Sequence, residues 1–469
     1  MRTVRVGGVA HDDLLKLTSD YAAQYLGSLD ERPVTTQATI EELRESLAGP
    51  LPEGPTNAEQ VIAELIAAAE PGVVATGSGR YFGFVIGGAL PASLAADWLT
   101  STWDQNAGLV ACGPSAAVVE EVCLEWLREL LGLPEGVTAG FVTGCQMAHV
   151  TALAAARHHQ LERAGWDLAR GGLQGAPRIR ILVGAQRHIT IDRALRFLGL
   201  GSDQIETVEA DEHGRMRADA LRAALSGADG PIIVCAQAGD VNTGAFDPLD
   251  EIANAVEATG AWLHIDGAFG LWAAASPRLR HLVAGSERAD SWATDAHKWL
   301  NVPYDSGIAF CAHPGSHRAA MSVRAAYLEQ ADSDAARDQL DWNPEFSRRA
   351  RGFPIYAAIR ALGRSGIAAL VEHSCERAQQ FAAILAAADG VEILNEVVLN
   401  QVLVRFGDND ALTQETVRRV QEDGTCWLSG TTWQGRAAMR ISVSNWQTSA
   451  EDVERSATAI LAAAAAPVA

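Results

Sequence analysis

Two stretches decide how this chain is read: His264-Ile-Asp-Gly-Ala-Phe-Gly270 and Asp290-Ser-Trp-Ala-Thr-Asp-Ala-His-Lys-Trp299. The first continues an apolar run that starts at Trp262 and is expected to be a strand closing on Asp266. In open α/β sheets, ligands lie outside the carboxyl ends of the strands, where a terminal acid faces them. The second carries Lys298 beside His297, with Trp292, Trp299 and Leu300 around it. A lysine desolvated in such a setting has its pKa lowered, so a neutral amine becomes available as a nucleophile.

Singly, Lys298 also reads as a surface lysine on a loop and Asp266 as a helix N-cap. Together they suit pyridoxal 5'-phosphate: the lysine forms an imine with the aldehyde, and the carboxylate keeps the pyridine nitrogen protonated. Gly267 and Ala268 are small enough to leave room for a flat ring at the strand end. Thr143-Gly144-Cys145-Gln146-Met147 lies between an expected strand and helix, where free backbone N–H groups bind phosphate. His188, in Gln186-Arg-His-Ile-Thr-Ile-Asp192, reads by itself as a core or helix-start histidine. The Gly77-Ser-Gly-Arg-Tyr-Phe-Gly83 run lacks the dinucleotide spacing and a preceding strand, which excludes a nucleotide loop.

Outward from these residues, apolar strands alternate with helices. Strands are expected from Phe141 and at 179–183, 205–208, 232–236, 262–265 and 308–311, with helices at 116–131, 147–163, 190–198, 218–225 and 248–259. The alternation predicts an α/β fold with a mostly parallel sheet covered on both faces. Before it, residues 11–70 read as helices broken by Gly49-Pro-Leu-Pro-Glu-Gly-Pro55. After it, a long helix (353–388), strands at 391–395, 401–406 and 437–443, and a helix at 450–464 read as a smaller α+β unit. The expected division is an N-terminal helical segment (1–75), a large cofactor-binding domain (76–345) and a small C-terminal domain (346–469).

The 469 residues, 48% hydrophobic and 20% charged, have the composition of a soluble globular enzyme. A formal charge of −21 without a local basic patch excludes nucleic acid and anionic membranes as expected partners. Seven scattered cysteines, with no CxxC or Cys/His cluster, imply neither a zinc site nor a disulfide framework, and suggest reduced thiols in a cytoplasm. No signal peptide is read at the N-terminus, and the Ala-rich tail is too short to span a bilayer.

With these residues assembled, the chain resembles the group II pyridoxal-phosphate-dependent amino-acid decarboxylases: the aromatic amino-acid, glutamate, histidine and tyrosine decarboxylases, with sphingosine-phosphate lyase more distant. The resemblance runs over roughly 75 to 450. It is carried, in family order, by Arg80-Tyr-Phe-Gly-Phe, Val118-Val-Glu-Glu-Val-Cys-Leu-Glu-Trp-Leu127, Thr143-Gly-Cys-Gln, Arg187-His-Ile-Thr, Gly244-Ala-Phe-Asp-Pro248, His264-Ile-Asp-Gly-Ala268, Asp295-Ala-His-Lys298 and Arg348-Arg-Ala-Arg351. It implies the fold type I architecture of the aspartate aminotransferases, as a homodimer with active sites at the subunit interface. It also implies an L-amino-acid α-decarboxylase that releases carbon dioxide and a primary amine.

The resemblance places Lys298 as the imine-forming residue and Asp266 on the pyridine nitrogen. His188 stacks on the ring, Ala268 packs on its other face, Gly144, Cys145 and Gln146 take the phosphate-loop positions, and Asp295 and His297 lie beside them. Asp240 or Asn242 is expected at the cofactor's 3-hydroxyl. Arg80, Tyr81, Phe82 and Trp103, with Trp98 nearby, fall in the segment that lines substrate in relatives; Arg440 is another possible carboxylate partner.

The chain departs from the family pattern in several places. Gln146 and Met147 replace hydroxyl residues, and Asp295 replaces an Asn of the aromatic decarboxylases. The loop Asp338-Gln-Leu-Asp-Trp-Asn343 holds no tyrosine, although Tyr327 lies upstream. A carbon–carbon lyase, an aldehyde-forming oxidative deaminase and an aminotransferase therefore stay open beside the decarboxylase, as does a non-catalytic scaffold.

Overall fold

Asp266, Asp295 and Lys298 meet at the carboxyl ends of the strands of a seven-stranded sheet. In a computed structural model, which describes residues 11–227, 229–322 and 337–466, the strands of this sheet are β1 (Thr138–Val142), β2 (Arg180–Gly184), β3 (Ile205–Val208), β4 (Ile232–Gln237), β5 (Trp262–Asp266), β6 (Ser291–Asp295) and β7 (Gly307–Cys311). Their order is β1-β7-β6-β5-β4-β2-β3. β2 through β6 pair in parallel, and β7 is antiparallel to both its neighbours. Six strands therefore share one direction, and their carboxyl ends lie on one side.

β1, β5, β6 and β7 are buried at every position, so they show no polar/apolar alternation. β5, apolar at Trp262, Leu263 and Ile265, was legible in the sequence; β6 was not. Ser291 and Thr294 break its apolar run, yet both hydroxyls are paired internally: Thr294 Oγ1 donates to the Gly267 carbonyl at 2.8 Å, and Ser291 Oγ accepts from Trp262 Nε1 at 2.8 Å. Lys298 thus follows the end of a central strand rather than sitting in a long loop.

A second, wholly antiparallel sheet, β10-β11-β9-β8, comprises β8 (Val391–Ile393), β9 (Gln401–Phe406), β10 (Ser429–Trp433) and β11 (Arg436–Ser442). The helix Gly352–Ala386 links the two sheets, and its Gly363 breaks the helical backbone at φ 60°, ψ 178°. Before and just after the break, Ile355, Ala358, Ile359, Ile367, Val371 and Cys375 join the core of the large sheet. Farther on, Ala378, Phe381 and Leu385 join that of the small one. The apolar pattern at 353–388 revealed the helix but not the division of its faces between two cores.

Close backbone contacts fix the site's edge. A Cβ on Gly307 would come within 2.4 Å of the Gly144 Cα, so the start of β7 can pass over the first turn of the helix Cys145–Arg163 only as glycine. A Cβ on Gly87 would lie 2.0 Å from the Lys298 carbonyl oxygen. Among the described residues, no helix is long and apolar enough to cross a membrane.

Candidate active site

β5 ends at Asp266, β6 at Asp295, β1 leads into Gly144, and β2 leads through a turn to His188. Their side chains line a cavity of about 330 Å³ together with Cys145, Gln146, Ala268, His297, Lys298, Phe84, Val85, Val241, Phe269 and Arg440. Most of the residues expected from the sequence to hold a cofactor are therefore brought to one wall-lined space. A groove of about 630 Å³, between Glu129, Arg280 and Arg364, contains none of them.

Lys298 Nζ lies 2.9 Å from Asp295 Oδ2. Burial alone would lower the pKa of the amine, as the sequence suggested. Asp295, seconded by Cys145 and Asp266, outweighs it and raises the pKa, so the free lysine stands as an ammonium. The expectation of a neutral lysine is corrected: apolar neighbours were visible in the sequence, the carboxylate three residues back was not weighed against them.

Asp266 is buried, and desolvation opposes its charge. His149, His188 and Lys298 reverse that and hold its carboxyl well below the usual carboxylate range. It accepts from the Ala268 N–H at 3.1 Å and from the Cys145 thiol at 3.8 Å, and lies 3.4 Å from His149 Nε2. His149 is a buried residue of the helix Cys145–Arg163 that the sequence reading passed over. Its position one helical turn after Cys145 was the available signal. Cys145, His149 and Asp266 place one ligand-type atom each within 4.8 Å of one another, but these contacts are mutual hydrogen-bonding ones.

His188 is both things the sequence offered. Its Nδ1 caps the helix Ile189–Phe197 through Thr190, with Oγ1 at 2.8 Å, and its ring lines the cavity. Desolvation lowers its pKa and keeps it neutral. His297 is likewise lowered, first by desolvation. Its Nδ1 accepts from the Ser306 N–H at 3.1 Å, which leaves the proton on Nε2 facing the cavity side, 3.5 Å from Asp295 Oδ1. Tyr304 stacks on the His297 ring at 4.2 Å and was not anticipated.

The helix Cys145–Arg163 begins at Gly144 with no side-chain cap of its own. Its first N–H, on Cys145, donates to Asp295 Oδ1 at 2.6 Å, so an acid already sits where the helix dipole favours negative charge. Gln146 donates from Nε2 to the Thr190 carbonyl at 3.3 Å and leaves its buried Oε1 unpaired.

Other expected residues stand elsewhere. Asp240 is buried, but its carboxylate is spent on the N–H groups of Asn242 and Thr243, both at 2.8 Å, and on Thr243 Oγ1 and Gln237. Asn242 Oδ1 accepts from Thr431 Oγ1 at 3.0 Å. Both brace the turn whose Val241 lines the cavity, and neither side chain lines it.

Of the residues expected at the substrate, Arg80, Tyr81, Phe82 and Trp103, none lines the cavity within this chain. The buried Arg80 guanidinium donates to the carbonyls of Asp30 and Arg32 at 2.9 Å, of Leu29 at 3.3 Å and of Thr425. Phe82 packs edge-on against Phe381 in the small-sheet core, Tyr81 stacks on Trp427, and Trp103 meets Phe353 on the surface. Phe84 and Val85, just downstream, reach the cavity because the backbone turns left-handed at both, with φ 53° and 57°. No composition signal marks that turn. Asp341 and Trp342, in the loop that holds no tyrosine, are engaged by Arg318 and Arg337, and neither lines the cavity. Tyr327 lies outside the described residues.

Asn301, three residues after Lys298, is buried with φ 54°. Its Nδ2 donates to the carbonyls of Trp299 at 2.9 Å and Ser444 at 3.0 Å. Its Oδ1 accepts from the N–H groups of Gly88 at 2.7 Å and Trp446 at 3.0 Å. It ties the lysine turn to the segments on either side of the cavity.

Comparison with known proteins agrees with this geometry. The family described as "Pyridoxal-dependent decarboxylase conserved domain" matches residues 41–406. An aromatic-L-amino-acid decarboxylase of Bacillus atrophaeus is 25% identical over 449 residues, covering 92% of this chain and 91% of the relative. A histidine decarboxylase of Mus musculus is 28% identical over 453 residues, covering 93% of this chain and 68% of the relative. Among solved structures, Oryza sativa TDC with PLP and tryptamine superposes with a TM-score of 0.90 at 22% identity, covering 98% of this chain and 99% of that one.

Proposed function

The chain belongs to the pyridoxal-dependent decarboxylase family and is a pyridoxal-phosphate-dependent amino-acid decarboxylase; from that premise we propose that its substrate is an amino acid with an apolar or aromatic side chain. The observation that carries this is the apolar part of the cavity lining. Phe84, Val85, Val241 and Phe269 are apolar, and Arg440 on β11 is the cation among them, with a buried Nε that has no partner. A single guanidinium suits the substrate's carboxylate, which leaves the apolar side chains for its R group.

The residues fit the family's cofactor. The cavity lining includes the His188 ring and Ala268, an ionised acid at Asp266, and the N-terminus of the helix that starts after Gly144. In the proposed arrangement Asp266 holds the proton on the ring nitrogen, Lys298 is the attachment point, and Gly144, Cys145 and Gln146 with the His297 Nε2–H receive the phosphate. Bound there, pyridoxal phosphate supplies the electron sink for the bond to the carboxylate. The chain's own part is orientation. Arg440 fixes the carboxylate, the apolar lining excludes water, and Asp295 orients the Lys298 amine at 2.9 Å. Incubation of the holoenzyme with single amino acids is expected to release carbon dioxide and the matching amine. Aldehyde without amine, or release from acidic amino acids alone, would refute the reading.

We further propose a homodimer with interfacial sites, located in the cytoplasm, with 1–75, 76–345 and 346–469 as its structural units. Support comes from the first three helices, His11–Gly27, Ile40–Leu47 and Ala58–Ala69, none of which buries a residue within the chain. They expose Leu15, Leu26, Leu47 and Leu65, and Phe84 and Tyr304 stand exposed near the site. Apolar surface of this extent calls for a covering partner. Light scattering that returns a monomer's mass with full activity would remove the dimer.

A further inference from the structure

A chain of buried polar groups runs behind Asp266, away from the cavity. His149 Nε2 lies 3.4 Å from Asp266 Oδ2, His149 Nδ1 is 2.9 Å from His264 Nε2, His264 Nδ1 is 2.9 Å from Ser291 Oγ, and Trp262 Nε1 is 2.8 Å from the same oxygen. All five side chains are buried, at 5% exposure or less. Every link crosses from β5, which carries Trp262, His264 and Asp266, to the helix Cys145–Arg163 or to β6.

The direction of these hydrogen bonds follows from chemistry. An indole N–H can only donate, so Ser291 Oγ accepts from Trp262. Buried donors are paired, and the acceptor within reach of the serine proton is His264 Nδ1. Burial pushes His264 down to about 3, so its ring is neutral and carries its one proton on Nε2. That proton points at His149 Nδ1, which must accept, and this places the His149 proton on Nε2, facing Asp266 and the Cys145 sulfur 3.4 Å away.

We propose that Trp262, Ser291, His264 and His149 form a polarised hydrogen-bond wire, and that His149 is the positioning residue which holds the Asp266 carboxylate oriented toward the cofactor's ring nitrogen. The wire supplies a donor to the Asp266 carboxylate and fixes its orientation. Cys145 assists from the other oxygen. Its thiol pKa is raised well above the ordinary value, first by burial, so it remains a donor to Asp266 Oδ1. The inference rests on the family's cofactor and is independent of the proposed substrate.

Two measurements test it. The first is the dissociation constant for pyridoxal phosphate of His149→Leu and His149→Gln, read by quenching of protein fluorescence on the cofactor-free chain. Leucine removes the donor and is expected to weaken binding about 10-fold to 100-fold, in the range of lost supporting contacts at other sites. Glutamine, which keeps an N–H, is expected to recover most of the affinity. Equal affinities for the two variants would overturn the proposal. The second needs no variant: nitrogen NMR of the cofactor-free wild-type chain labelled in histidine. His149 and His264 are identified by coupling across their shared hydrogen bond, and both are expected to carry the proton on Nε2. A proton on Nδ1 of either would overturn the wire, whereas a wild-type chain that binds no cofactor would count against the family reading alone.

Discussion

The Lys298 amine and the Asp295 carboxylate meet at 2.9 Å inside the cavity, so the residue expected to react as a free amine is held as an ammonium. Cofactor capture by the cofactor-free chain consumes the neutral amine. A raised pKa means that the neutral fraction grows with pH across the neutral range, so capture is expected to accelerate as pH rises. Asp295→Asn removes the negative charge and lets burial dominate, which lowers the lysine pKa. The rise of the capture rate should then move to lower pH by about one unit or more. Stopped-flow absorbance across a pH series measures this, and an unshifted profile would exclude the pair as its cause.

Arg440 gives a second test. Arg440→Met keeps the bulk and removes the cation; if it receives the substrate carboxylate, KM should rise about 10-fold or more. The lysine-bound cofactor spectrum should remain. An unchanged KM would move the carboxylate contact elsewhere.

Arg80 was legible as a landmark, but its use was not. Four carbonyls from two distant parts of the chain converge on it, a fact set by tertiary packing and invisible in local sequence. Arg80→Met is expected to lower stability by about 3 kcal/mol or more, because several buried carbonyls lose their donors. KM of the surviving folded enzyme should be unaffected. A raised KM at unchanged stability would restore a substrate role.

The same contrast runs through the whole chain. Asp266 and Lys298 were readable because an apolar strand ending in an acid and a lysine among tryptophans are both unusual. β5, β3 and the helix Ala218–Leu225 were readable from their local runs. β6, β10 and the helices Pro91–Trp103 and Asp410–Asp423 were not, since their residues acquire order from neighbours rather than from a local pattern. Phe84 and Val85 enter the cavity through a turn with no glycine at its two left-handed positions, and His149 reaches Asp266 from a helix on which its place one turn after Cys145 was the one signal.

Asn301 belongs to that unread class. Asn301→Ala would orphan two buried carbonyls and two buried N–H groups that now share one side chain. A loss of about 3 kcal/mol or more is expected by urea denaturation, with a weaker hold on the cofactor because the Lys298 turn loosens. A variant as stable as wild type would contradict the role assigned to it.

The chain contains two lysines, Lys16, exposed on the first helix, and Lys298, in the cavity. Borohydride reduction of the holoenzyme followed by peptide mass mapping therefore tests the central claim with a binary answer. The visible band near ~420 nm should disappear and the cofactor should be found on the peptide that carries Lys298. Cofactor on Lys16, or on neither lysine after a band has been seen, would contradict the account.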